Sequence, residues 1–418
     1  MKKILIVQNY NANKGDSSVA FTMLKSLRAI DDDLDFGVTS YDPKKATEEY
    51  GIPAAEFAFN LHDIKLKKGI SRIWAFAREG LWVGYGFGWA FFRRYLGIRL
   101  PVPTFKNKTV GLYENTDVVV LPGGHFFTNF NGLGMNFSHF FAMILAFSLK
   151  KPTMIYAQTI GPFFGVFKLP VLAMTAFILR NVDAVTLREK GGLTYCNNVK
   201  RIELTAETVF ALDTEISLAQ NVKGLQSVRD NGEILVGVTI HHIYYKYFFS
   251  KDRYVSIMAE IFQRIVDGYN ATILIIPMEE AVHGGGDRPL AREMIDRSGR
   301  EKSVSVLEGD LLSHVTAAVI ASTDVFIGTK THSVVYGLKS GVPTISISYQ
   351  DKSNEFMQMF GVRENAINLK DITPDDFMQI FKRVFESLEF YRQKQQNALS
   401  RVKLLAEKNN HILLSLIK

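Results

Sequence analysis

The sequence predicts an α/β protein of two Rossmann-like domains facing a cleft. Three observations carry this. Short apolar runs alternate with amphipathic helical stretches along the chain. At 418 residues, 47% of them hydrophobic, the chain is too long for one ordinary core and suits two domains of roughly 150–200 residues each. A polar stretch with two glycines, AQNVKGLQSVRDNGE at 219–233, separates two alternating halves. The expected domains are residues 1–220 and 221–418.

The elements follow in order. The first half offers strands at KILIVQN (3–9), DFGVTS (35–40), DVVVLPGG (117–124), PTMIYAQTIGP (152–162) and DAVTLRE (183–189), with helices at 17–29, about 136–149 and 167–181. The second half offers ILVGVTI (234–240), ATILIIP (271–277), SVSVLEG (303–309), DVFIG (324–328) and PTISISY (343–349). Helices at 253–268, 288–297 and 311–321 separate them, and more helices follow from Asp371. This alternation implies parallel sheets covered on both faces.

Composition narrows the function. A single cysteine, Cys196, allows no intrachain disulfide and no cysteine zinc motif, so a reducing, cytoplasmic location is expected. The N-terminal apolar run, Ile4 to Val7, is far shorter than a secretory core of ~7–15 residues. Net charge is +7, but no basic tail or RNA-binding signature accompanies it, so no nucleic acid is expected. Positive charge is concentrated at 65–100, which holds eight basic residues, one acid (Glu79) and all three tryptophans. Its uncharged part, Gly80 to Phe92, is thirteen residues with four glycines, against the ~20 that a spanning helix needs. Basic residues flanking tryptophan and phenylalanine suit peripheral contact with anionic headgroups. A loop packed on its own domain is the other reading. The uncharged run Val118–Leu149 contains Pro122, Gly123, Gly124 and several Asn, which fits a strand, a loop and a buried helix rather than a membrane span.

Ligands of open α/β sheets bind beyond the carboxyl ends of the strands. After the first strand, Asn13, Gly15 and Asp16 precede a helix; Asp16 could take a proton from a sugar hydroxyl, or serve only as a cap. Gly123-Gly124-His125 leave backbone N–H groups for an anion or make a tight turn. Gln158 could bond a hydroxyl-rich ligand, and Arg188 leaves the end of its strand. In the second half, His241-His242 end one strand and Glu279 follows another. Adjacent strand residues point opposite ways, so at most one of the two histidines faces the cleft. With His283 they lack the spacing of a metal motif, and no metal is expected.

The most informative stretch is DVFIGTKTHSVVYGLKSGVPTISISY, 324–349. Thr331 and His332 fall in a helix's first turn, where N–H groups and the dipole favour an anion. Lys330 adds a charge, and Lys352 comes from the loop after the next strand, so these groups could converge on one negative ligand.

Two α/β halves of this kind resemble the GT-B architecture of glycosyltransferases. NKGD near the N-terminus, LPGGH, AQTIGPF, TLRE and GTKTHSVVYGLKSGVPTISISYQDKSNEF together resemble the polysaccharide pyruvyltransferase family, in that family's order and across residues 13–356. The resemblance implies a GT-B-like fold and transfer of pyruvate from phosphoenolpyruvate, as a ketal, to two hydroxyls of a sugar in a cell-surface glycan or its lipid-linked precursor. It implies no metal or organic cofactor. It assigns the donor to the C-terminal wall, at Lys330, Thr331, Lys352, His241 and Glu279 with Arg188. The acceptor falls to Asn13, Gly15, Gly123, Gly124, His125 and Gln158. His332 is the expected acid and Asp16 the expected base. Two departures stand out: Lys330 replaces the family's arginine, losing its bidentate fork, and His125 replaces a glycine. A GT-B glycosyltransferase using a nucleotide sugar and a non-catalytic glycan-binding relative remain the alternatives.

Overall fold

The computed structural model describes all residues except 1, 62, 63, 65, 66, 129–131, 198, 224, 226–233, 243, 244, 246, 247, 280–285 and 418. Lys65, His283 and most of the expected linker at 219–233 lie outside the described residues. Contacts group the chain into two units. The first comprises Met1–Asn11, Val19–Ala211 and Leu405–Lys418; the second comprises Ala12–Ser18 and Leu212–Leu404.

The first unit holds an eight-stranded sheet: β1 (Lys2–Asn9), β2 (Leu34–Ser40), β3 (Ala54–Glu56), β4 (Val118–Leu121), β5 (Gly124–Phe127), β6 (Thr153–Ile160), β7 (Ala184–Leu187) and β8 (Ile202–Leu204). The order is β3-β2-β1-β4-β6-β7-β8, with β5 also on β6, and every pairing is parallel. Ile4–Val7 and Val118–Leu121 are buried throughout, as expected for central strands covered on both faces.

The helices whose sequences run through this unit are α1 (Lys14–Ile30), α2 (Pro43–Tyr50), α3 (Gly69–Phe91), α4 (Asn107–Glu114), α5 (Gly132–Ser148) and α6 (Lys168–Asn181). One core packs α3, α5 and α6 on one face of the sheet around Trp82, Phe141 and Ile178. The other face carries α1 and the chain end around Met23 and Leu413. The described part of the basic, aromatic segment, 67–100, is thus largely helix. Its glycines disfavour a helix locally, but Gly86 admits the Phe141 ring, which a Cβ there would meet at 2.6 Å.

The second unit holds six parallel strands: β9 (Ile234–Val238), β10 (Ala271–Ile275), β11 (Val304–Val306), β12 (Val325–Gly328), β13 (Thr344–Ser348) and β14 (Ala366–Asn368). Its helices are α7 (Lys251–Tyr269), α8 (Asp287–Ser298), α9 (Ser313–Ala321), α10 (Thr331–Lys339), α11 (Asp351–Met359) and α12 (Pro374–Phe385); α13 (Leu388–Leu414) follows. The order β11-β10-β9-β12-β13-β14 reverses between β9 and β12. A crevice forms beyond the carboxyl ends of strands at such a switch point. The loops arriving there carry His241-His242 and Thr329–His332.

Candidate functional site

In the second unit a buried carboxylate organises the crevice. Asp287, first residue of α8, accepts the backbone N–H groups of Met278 (2.9 Å) and Glu279 (3.0 Å) on one oxygen and faces His242 Nδ1 (2.9 Å) with the other. Lys330 Nζ lies 3.0 Å from Asp287 and 3.2 Å from Glu279. Burial opposes ionisation of Asp287, yet the Lys330 ammonium and the His242 ring hold its carboxyl well below the usual range. Lys330, expected as a donor ligand, is therefore half of a buried ion pair, with Glu279 as its more exposed second partner. That pairing suits a lysine: a compact ammonium sits between two carboxylates without needing a planar fork.

Burial, followed by the charge of Lys330, keeps the His241 ring neutral, its pKa pushed well below the ordinary value; Lys352 acts in the same sense. The ring lies edge-on to Tyr349, centroids 4.9 Å apart. Thr331 Oγ1 is 3.1 Å from Ser353 Oγ, joining the start of α10 to α11. Of the two adjacent histidines, His242 serves Asp287 and His241 serves the aromatic wall.

The loop NKGD, expected on the acceptor side of the first domain, groups instead with the second unit. Asn13 bridges Glu279, Lys14 N–H donates to Met278 O (3.3 Å), and Lys14 Nζ donates to Pro277 O (3.0 Å) while pairing with Asp310 (3.3 Å). The Tyr336 hydroxyl of α10 donates to Lys14 O (2.9 Å). The glycine now has a physical reason. A Cβ on Gly15 would lie 2.2 Å from His332 Nδ1, so only glycine lets that ring rest against the loop. His332, Gly15 and Asp16 are thereby brought into one neighbourhood, with Asp16 in the first turn of α1 and His332 in the first turn of α10.

The first unit gathers its own motif residues at the ends of β4 to β7. Arg188, expected to hold the donor, is a correction. Its guanidinium is buried and donates to Glu207, Thr159 Oγ1 (2.8 Å) and Gly124 O (3.0 Å). Gln158, expected to meet the acceptor, is fully buried and donates to Pro122 O. Gly123 packs under Ala157 O and Gly124 under the Phe126 ring. His125 is the partly exposed member, with Nε2 2.8 Å from Gly161 O. Asp287 and Glu207, the two buried carboxylates that anchor these clusters, were not recognised from sequence. The only signal for Asp287 was its place after a glycine run, at the start of a helix.

Comparison with known proteins follows the same lines. The chain is 21% identical over 423 residues to the amylovoran biosynthesis protein AmsJ of Erwinia amylovora, covering 97% of each. Among solved structures it is similar to UDP-GlcNAc 2-epimerase from Neisseria meningitidis bound to UDP-GlcNAc (TM-score 0.60, 10% identity, 99% of this chain and 100% of that one). It is also similar to Anabaena Alr3699/HepE in complex with UDP and glucose (TM-score 0.58, 14% identity, 99% of both). At such identities the likeness shows the fold alone, which is GT-B-like. The family profile described as polysaccharide pyruvyl transferase matches residues 13–351, from the NKGD loop to the start of α11. The protein is a transferase of polysaccharide biosynthesis, and the chain belongs to the polysaccharide pyruvyl transferase family.

Proposed function

We propose that the protein transfers pyruvate from phosphoenolpyruvate to two hydroxyls of a sugar, forming a cyclic ketal. One observation carries the reading: His332 rests on Gly15 at the start of α10, with Lys330 and the Asp287 hub beside it. Phosphoenolpyruvate brings a phosphate and a carboxylate. The first-turn N–H groups of α10, Thr331 and Lys352 are suited to hold them. Glu279 shares Lys330 with Asp287, so an arriving anion competes with Glu279 for that ammonium.

The chemistry asks for two proton carriers. C3 of the enol takes a proton and becomes a methyl group. A sugar hydroxyl adds to C2 and loses its proton. The C2–O bond to phosphate breaks, phosphate leaves with a proton, and the second hydroxyl closes the ring at C2, losing its own. His332 is the acid at the departing phosphate or enol; Asp16, beside Gly15, is the base. His241, held neutral, can donate or accept a hydrogen bond without adding charge. Gly123, Gly124 and His125 of the first unit are proposed to meet the acceptor, with Gln158 supporting them from below. No step requires a metal or an organic cofactor. The acceptor is a sugar or oligosaccharide, and a lipid-linked precursor suits a protein whose basic, aromatic segment 65–100 contacts the cytoplasmic face of an anionic membrane.

The test is calorimetry with phosphoenolpyruvate and with UDP. Binding of phosphoenolpyruvate but not UDP supports the reading. Binding of UDP with phosphoenolpyruvate ignored overturns it in favour of a nucleotide-sugar glycosyltransferase.

A further inference from the structure

We infer that the outward face of α3 is a docking surface for an anionic lipid bilayer, on which the protein rests without crossing it. The helix is apolar on both sides, and only one side is covered. Ala75, Glu79, Trp82, Gly86 and Trp89, spaced i, i+4, i+7, i+11, i+14, form the buried face. Ile70, Trp74, Ala77, Leu81 and Gly84 repeat that spacing on the opposite face, and all are exposed. Trp74 is 72% exposed, Ile70 73% and Leu81 76%, against 2% for Trp82 and for Trp89. An exposed apolar stripe of this length marks an interaction surface.

Charge names the occupant. Among the described residues of 67–100 the one acid, Glu79, is fully buried against Lys106 at 3.0 Å and contributes nothing to the surface. Lys67, Lys68 and Arg72 lie at one end of the helix; Arg99 lies past the other, with Arg93, which pairs with Glu114 at 3.5 Å, and Arg94, which also donates to Phe147 O. A second copy seated face to face through a two-fold axis would set these cations against themselves. Anionic headgroups neutralise them, while the apolar stripe enters the acyl boundary and tryptophan sits at its edge. A second apolar outcrop is carried on a helix packed against the same α5. Phe164, Val166, Phe167 and Leu169 are exposed at the start of α6, which packs on α5 through Phe177 and Phe140 as α3 does through Trp82 and Phe141. No described helix is long and apolar enough to span a bilayer.

The inference deepens the proposed function only in the nature of the acceptor. Vesicle binding is read without donor or acceptor, so failure of either reading leaves the other standing.

Trp74 is the exposed tryptophan of three and serves as the probe. The intact protein is mixed with vesicles of phosphatidylcholine alone, or of phosphatidylcholine with phosphatidylglycerol, with and without brominated acyl chains. The expected result is at least about tenfold stronger partitioning to the anionic vesicles, weakened by salt. A blue-shifted emission quenched by the brominated chains should accompany it. Trp74→Phe should abolish the quenching and keep the binding. Ile70→Glu with Leu81→Glu should lower partitioning at least about tenfold with an unchanged circular-dichroism spectrum. No partitioning to anionic vesicles would overturn the inference. So would Trp74 shielded in vesicle-free solution by a self-associated species seen in sedimentation velocity.

Discussion

The two units carry polar clusters at the same place in their sheets and use them differently. In the first, Arg188 and Glu207 are both buried, and the guanidinium donates to Glu207, Thr159 and Gly124 of its own unit. In the second, Asp287 is buried to the same degree, but its surroundings reach outward: Glu279 and His242, which it bonds, are partly exposed, as are His332, Asp16 and Lys352 of the same unit. A buried ion pair whose guanidinium also bonds its own unit's strands is a brace. A buried carboxylate that bonds partly exposed groups is the foundation of a site. Motif residues therefore divide by burial, not by charge.

The largest effect should come from breaking the brace. Arg188→Met leaves Glu207 buried without its cation and should cost about 3–5 kcal/mol in urea unfolding, largely recovered by Arg188→Met with Glu207→Leu. A loss below 1 kcal/mol would mean the pair is not a brace.

Next comes a change that the site should feel more than the fold. Gly15→Ala must push the His332 ring aside, since its new carbon would fall 2.2 Å from Nδ1. Such a displacement should lower kcat/KM about 10²-fold. Activity like the parent's would show that His332 does not act from this position.

Protonation offers a third probe. His139 is buried and stacks on Phe126 at 4.7 Å. Burial drives its pKa down to about 3 from 6.5. The unfolded ring takes a proton below 6.5 while the folded one does not until about 3. Its stability contribution is thus present above pH 6.5 and is lost as pH falls towards 3, by about 1.4 kcal/mol per pH unit. His139→Phe should remove that slope from the pH dependence of unfolding; His241, depressed in the same sense, keeps its own. An unchanged slope would place the titration elsewhere.

The smallest effect should be a gain. Glu279→Gln removes the more exposed of the two carboxylates on Lys330 and should tighten phosphoenolpyruvate about fivefold, on the order of 1 kcal/mol. Weaker binding would make Glu279 a ligand rather than a competitor.

Much of the fold was legible. The strands expected at 3–9, 35–40, 234–240 and 324–328 are β1, β2, β9 and β12, because runs buried on both faces need no partner to be recognised. Three-residue strands such as β3 and β14 were not read; they carry too little pattern. Helix α3 was missed because Gly80, Gly84, Gly86 and Gly88 argue against it locally, while the Phe141 ring that favours it lies 55 positions after Gly86 in sequence. His332 and Lys330 could be singled out from their place at a strand-to-helix turn. The partners could not: Gly15 meets His332, and Asp287 meets Lys330, only through the fold.

The account rests on a division of labour, with the proposed donor site in the second unit. The direct test is phosphoenolpyruvate binding to three proteins: the parent, His332→Ala and His125→Ala, each checked for unchanged urea stability. The account predicts that His332→Ala weakens binding at least about tenfold while His125→Ala, in the first unit, leaves it unaltered. Loss of binding in His125→Ala with His332→Ala unaffected would contradict it and move the donor to the other unit.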